Sequence, residues 1–147
     1  MRPDLAAIVH WVPQGARVLD LESGLALFQN GSFDYVVLSE TLQTIHRIEF
    51  LTREMLRVGK EAIVSFPNFG HWRARLQVLA GRMPVSAELP HQWYNTPNVH
   101  LCTLADFEDL CAKLGAQIRE RVVLHRGRPV HVLPNLFGSI AVYRVTA

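Results

Sequence analysis

Asp20 closes the apolar run Arg17-Val18-Leu19-Asp20-Leu21. A short apolar strand ending in an acidic residue is how the first strand of a nucleotide-binding α/β domain usually reads. The turn after such a strand is normally rich in glycine, because only a residue without Cβ lets the backbone come so close to a cofactor's polar groups. Here the chain continues Glu22-Ser23-Gly24-Leu25-Ala26-Leu27-Phe28, with a single glycine. The strand end that would receive a cofactor is present, and the loop that would hold it is not.

Two further segments end in polar residues after apolar runs: Ser39-Glu40-Thr41 and Pro67-Asn68-Phe69-Gly70-His71-Trp72. Ligands of open α/β sheets sit beyond the carboxyl ends of the strands, so Ser39, Glu40, Asn68, His71 and Trp72 are candidate site residues. A Pro- and Asn-rich stretch at 92–100 can fold over those ends with Trp93, Tyr94, Asn98 and His100, giving an aromatic, histidine-rich pocket or a partner surface. The alternative is loop packing, with the aromatics covering the sheet end and Asn68 and Asn98 capping backbone groups. Glu40 and His46 are candidate acid–base residues, or else they start the helix that follows.

Other chemistries fit poorly. His71, His91 and His100 are spaced by twenty and nine residues, which matches no zinc signature, so no metal site is expected. Ser39, Ser65 and Ser139 lack a Gly-x-Ser-x-Gly elbow. Cys102 follows His100 closely, but its neighbours Leu101 and Leu104 point to a buried thiol rather than a nucleophile.

The elements that must position these residues follow from periodicity. Leu5, Ile8, Val9 and Val12 mark one apolar helix face, closed by Pro13 and Gly15. A strand at 17–21 follows. Beyond the Asn30-Gly31-Ser32 turn, residues 33–39 form a strand apolar enough to be buried on both faces. Ile48, Leu51, Met55 and Val58 make a helical stripe with Gly59 as its C-cap. A strand at 61–66 leads to a helix at 71–80 with Trp72, Leu76 and Leu79 on one side. A long loop spans 84–102. Thr103-Leu104-Ala105-Asp106 resembles a capping box opening a helix that ends at Gly115. Strands at 117–124 and 137–145 close the chain, joined by a loop. Alternating strands and helices argue for a parallel sheet covered on both faces, and two final strands without a helix between them argue for an antiparallel addition at one edge.

At 147 residues the chain is long enough for one domain with a real core. No apolar run approaches the ~20 residues that span a bilayer, and the N-terminus lacks a signal-peptide stretch, so no membrane role and a cytoplasmic location are expected. Thirteen arginines and two lysines are scattered, and the net charge is only +2. The basic clusters at 71–75 and 125–128 are not runs of the kind that bind nucleic acid, so none is expected as a partner.

Several stretches together resemble the methionine biosynthesis protein MetW family. They are Gly31-Ser32-Phe33-Asp34-Tyr35-Val36-Val37-Leu38-Ser39, Glu54-Met55-Leu56-Arg57-Val58-Gly59, Ser65-Phe66-Pro67-Asn68-Phe69-Gly70-His71-Trp72, the segment from Gln92 to Thr103, and Leu133-Pro134-Asn135-Leu136-Phe137-Gly138-Ser139. The resemblance implies a class I methyltransferase-like, Rossmann-like three-layer α/β sandwich with a mostly parallel sheet and an antiparallel strand near the C-terminus. It implies S-adenosylmethionine as the family's cofactor, with Asp20 the one cofactor-binding position retained, and homoserine O-acyltransferase as the partner.

The chain departs from the family at one place, where a glycine-rich loop, a helix and two further βα steps belong. A βαβ unit takes 30 or more residues, so the missing block is on the order of 50. The domain expected over 1–147 therefore lacks the second and third βα units. Asp20-Leu21 matches the end of the family's first strand and equally the Asp-Leu that precedes Glu-Ser-Gly-Leu after its third strand. With the glycine loop and the ribose-binding acidic residue both gone, cofactor affinity should fall by several orders of magnitude. Strand 17–21 should become a sheet edge able to self-associate. The leading reading is a non-catalytic or regulatory partner of homoserine O-acyltransferase. The alternatives are a small-molecule methyltransferase whose cofactor block is absent from this sequence, and a fragment without activity.

Overall fold

The computed structural model describes residues 2–21 and 28–147. The stretch Glu22–Leu27, where a cofactor loop would follow the first strand, lies outside the described residues. Helix α1 (Pro3–Trp11) starts on a proline whose fixed φ suits the first helical turn, and it leads into the short strand β1 (Val18–Asp20). Strand β2 (Phe33–Ser39) follows, then a single 3₁₀ turn (Leu42–Thr44), helix α2 (Ile48–Val58) and strand β3 (Gly59–Pro67). Helix α3 (Trp72–Leu79) and helix α4 (Leu104–Leu114) flank a long irregular segment. The chain ends with β4 (Gln117–His125), a two-residue β5 (Arg128–Pro129), the one-turn helix α5 (Pro134–Phe137) and β6 (Ile140–Thr146).

The six strands form one sheet in the order β1-β2-β3-β6-β4-β5. β1, β2 and β3 are mutually parallel, β6 runs antiparallel to both β3 and β4, and β5 forms a hairpin with β4. β4 therefore shares the direction of the first three strands. The antiparallel addition expected at one edge is refined here: the last strand inserts between β3 and β4 instead of lying outermost. β1 is the opposite edge, with β2 as its neighbour.

Side-chain alternation splits the core in two. Val36, Leu38, Ala62, Val64, Phe66 and Tyr143 face α2 and α4, where Met55, Val58, Leu104, Phe107 and Cys111 close the layer. Val37, Ile63, Ile140 and Val142 face the other way and are covered by Ile8 of α1 with Leu5, Ala7 and Trp11. Helices on both faces make the three layers. Phe66, Phe107 and Tyr143 meet at centroid distances of 5.1, 5.9 and 4.7 Å beneath the strand ends that carry the polar residues.

Three local features bear on the expectations. Gly59 is the C-cap of α2 as expected, its N–H donating to Met55 O, with an extended backbone at φ −105° that begins β3. A Cβ there would stand 2.6 Å from Val36 Cγ2, so the glycine serves close packing of helix end against strand. The apolar side of α3 faces outward, with Leu76 52% and Leu79 84% exposed. The 125–139 connection is not wholly irregular but carries β5 and α5. Other local signals read as expected. Thr103 and Asp106 form a reciprocal capping box, and Gly115 ends α4 at φ +71°.

Candidate functional site

The candidate residues at the strand ends fall into two separate polar clusters. Ser39, the last residue of β2, is in register with Ser65 of β3. Both hydroxyls converge on one carboxylate of α1: Ser39 Oγ donates to Asp4 Oδ2 at 2.5 Å and Ser65 Oγ donates to the same oxygen at 2.8 Å. Ser65 Oγ in turn accepts from the Glu40 backbone N–H at 3.0 Å, and Ser39 Oγ accepts from Arg2 Nη2 at 2.9 Å. Asp4 is fully buried, and its second oxygen makes no hydrogen bond, with Arg2 Nε 3.9 Å away.

Glu40 lies beside this cluster, 3.5 Å from Arg2 Nη1. Its backbone is left-handed, φ +50°, an uncommon conformation for a residue with a Cβ. Burial raises its carboxyl above the usual value, and the negative charge of Asp4 adds to the shift, while Arg2 opposes it. Glu40 does not cap the following helix, which begins only at Ile48. The serines already have partners in Asp4, Arg2 and Glu40, and no imidazole joins them, so the cluster ties α1 to the sheet and is not assembled as a hydrolytic triad.

The second cluster lies beyond β3. Asn68 is buried and saturated: its side chain donates to the carbonyls of Asn135 and Gly138 at 3.0 and 2.9 Å and accepts from Gly70 N at 3.0 Å. It holds α5 and the start of β6 against the end of β3. Gly70 is pinned there because a Cβ would stand 2.6 Å from Asn135 Oδ1. His71 caps α3, its Nδ1 accepting from Arg73 N at 3.3 Å. Its ring stacks on His125 of β4 with centroids 5.0 Å apart and planes 21° apart. Burial, then the charge of His125, depresses the His71 imidazole below its usual range. Both residues line a cavity of about 180 Å³ with Phe69, Gln77, Val85 and Glu88. Trp72 is partly exposed and stacks against Arg73 at 5.3 Å.

The 92–100 segment does not close over either cluster. Val99 N and His100 N donate to Gln43 O at 2.8 and 3.0 Å, and His100 Nε2 lies 3.2 Å from His46 O, so the end of the loop rests on the turn after β2. Asn98 N donates to Thr96 Oγ1 at 3.1 Å. Trp93 and Tyr94 pair edge to face at 5.7 Å and stay 73% and 70% exposed. The expected aromatic pocket is thus an exposed aromatic pair. Cys102 is half-buried and its thiol is pushed up to about 12, chiefly by burial, which suits a packed thiol and not a nucleophile. Asp20 is exposed at the edge of the sheet. Among the described residues no group of three or more metal-ligating side chains converges. No helix among them is long and apolar enough to cross a membrane.

Sequence reasoning missed Arg2, Asp4 and His125, and weighed Ser65 only as a nucleophile. The available signal for the first group was a carboxylate in the opening turn of an apolar helix. His125 carried none, because its partner lies 54 residues away and meets it only through the sheet.

Comparison with known proteins agrees with this architecture. A SAM-dependent methyltransferase from Thermotoga maritima superposes with TM-score 0.66 at 14% identity, over 98% of this chain and 87% of that one. An S-adenosylmethionine-dependent methyltransferase from Mesorhizobium loti does so with TM-score 0.65 at 12% identity, over 99% and 98%. At such identities the likeness is one of fold. A curated relative, the bifunctional methionine biosynthesis protein MetXA/MetW of Rhodopirellula baltica, is 45% identical over 105 residues, 70% of this chain. The aligned stretch spans only 17% of that relative's length. The sequence profile described as methionine biosynthesis protein MetW matches residues 20–145. The chain therefore belongs to the MetW family of methionine biosynthesis proteins.

Proposed function

We propose that this chain serves methionine biosynthesis as a non-catalytic, regulatory partner of homoserine O-acyltransferase. The observation that carries this reading is the Rhodopirellula baltica relative, whose name joins MetXA and MetW in one bifunctional protein. Fusion keeps two polypeptides at high effective concentration, which is useful where separate chains must otherwise find each other. Co-purification of the tagged chain with the acyltransferase tests the proposal, and failure to associate refutes it.

The described residues do not suit S-adenosylmethionine. In a class I methyltransferase an acidic residue after the second strand holds the ribose, and that strand lies beside the first. Here β1 is the sheet edge among the described residues, so this carboxylate has no strand to stand on. Asp20 remains as a lone candidate contact. The methyltransferase-like fold favours a second reading, a methyltransferase whose cofactor block lies outside this sequence. Calorimetric binding of S-adenosylmethionine at about micromolar Kd by this chain would favour that reading over ours. The short exposed β1 edge is also a route to self-association, detectable as concentration-dependent sedimentation.

A further inference from the structure

The cavity beyond β3 has walls from several elements. Helix α3 and its N-cap supply His71, Arg73, Ala74 and Gln77, the 84–89 loop supplies Val85 and Glu88, and the end of β4 with the turn after it supplies His125 and Arg126. Glu88 and Arg126 carry opposite charges, come from different walls, and make no hydrogen bond or ion pair with each other or with any other described residue. His71 uses Nδ1 as an acceptor, so in the neutral ring the proton sits on Nε2, and that buried donor is unpartnered. His125 Nδ1 is likewise buried without a partner. Buried imidazole nitrogens left unpaired carry a desolvation cost that a ligand can recover. The other polar residues of the lining, Asn68, Gln77, Ser86 and Ser139, are hydrogen-bonded within the protein, and Pro67, Phe69, Pro84, Val85 and Leu89 supply apolar wall.

We propose that this cavity binds a small α-amino acid with an apolar side chain, its ammonium facing Glu88 and its carboxylate facing Arg126 and the His71–His125 pair. A zwitterion is a ligand class that satisfies the unpaired Glu88 carboxylate and the unpaired Arg126 guanidinium in a single cavity whose other cation, Arg73, lies against the Trp72 ring, and the apolar walls take its side chain. The volume of about 180 Å³ holds about six waters at ~30 Å³ each, the scale of an amino acid and too small for an adenosyl compound. This goes beyond contact with the acyltransferase and does not depend on it.

The test uses the chain alone, followed by calorimetry and thermal denaturation. L-norleucine is the probe, with hexanoate (no ammonium) and n-pentylamine (no carboxylate) as controls. L-norleucine should raise Tm saturably, and each control should bind at least about tenfold more weakly, as loss of a charge-assisted contact requires. Glu88→Gln, at a half-buried position, and Arg126→Gln, at an exposed one, should each weaken L-norleucine by about tenfold while leaving the unliganded Tm in place. No response at about 10 mM L-norleucine, equal binding of either control, or unchanged affinity in both variants would overturn the proposal.

Discussion

Ser65 Oγ lies 2.8 Å from Asp4 Oδ2, a bond that joins the carboxyl end of β3 to the first turn of α1 across 61 residues of chain. Ser39 from the neighbouring strand shares the same oxygen. The place where a methyltransferase-like sheet would present open polar groups is therefore partly filled by the protein's own N-terminal helix.

Asp4→Ala should cost about 2–4 kcal/mol, because it leaves the buried Ser65 hydroxyl, the half-buried Ser39 hydroxyl and the Glu40 amide network without their shared acceptor. Asp4→Asn keeps an acceptor oxygen and should cost clearly less. Urea denaturation reads both, and equal, negligible losses would mean the cluster does not hold α1.

Glu40 carries a pH signature. Its carboxyl is raised above the ordinary 4.5 by burial first and Asp4 second. In the unfolded chain it ionises at the ordinary value, so folding is disfavoured progressively as pH rises through the folded value and is unaffected below 4.5. Glu40→Gln should therefore raise Tm at pH 7 and leave it unchanged at pH 4. A shift of the same size at both pH values would point to packing and not to charge.

The two thiols should be inert in the folded protein. Burial pushes Cys102 up to about 12 and Cys111 up to about 11, so at pH 8 less than roughly one thiol in a thousand is ionised. Disulfide-exchange reagents should label both only after unfolding. A rapidly reacting thiol in the native chain would contradict this placement.

How much was legible follows the range of each interaction. Strand Phe33–Ser39 was read to the residue, and the Thr103–Asp106 box and Gly115 cap were recognised, because each is written within a few residues. The helical spacing of Trp72, Leu76 and Leu79 shows that they share a side of α3 but not that this side faces outward. Gly59 was legible as the cap of α2, but the contact that excludes a Cβ there, Val36, lies 23 residues earlier on another element. The candidate site shows the same division. Asn68 and His71 were found from a strand end, while Asp4 and His125, which complete the two clusters, come from remote elements that only the folded sheet brings near.

The most direct measurement of the central claim is the rate of homoserine O-acyltransferase titrated with this chain, with no S-adenosylmethionine present. A regulatory partner predicts a saturable change in rate together with a co-sedimenting complex. An unchanged rate and separate sedimentation at about 100 μM chain, well above an ordinary micromolar association, would contradict it.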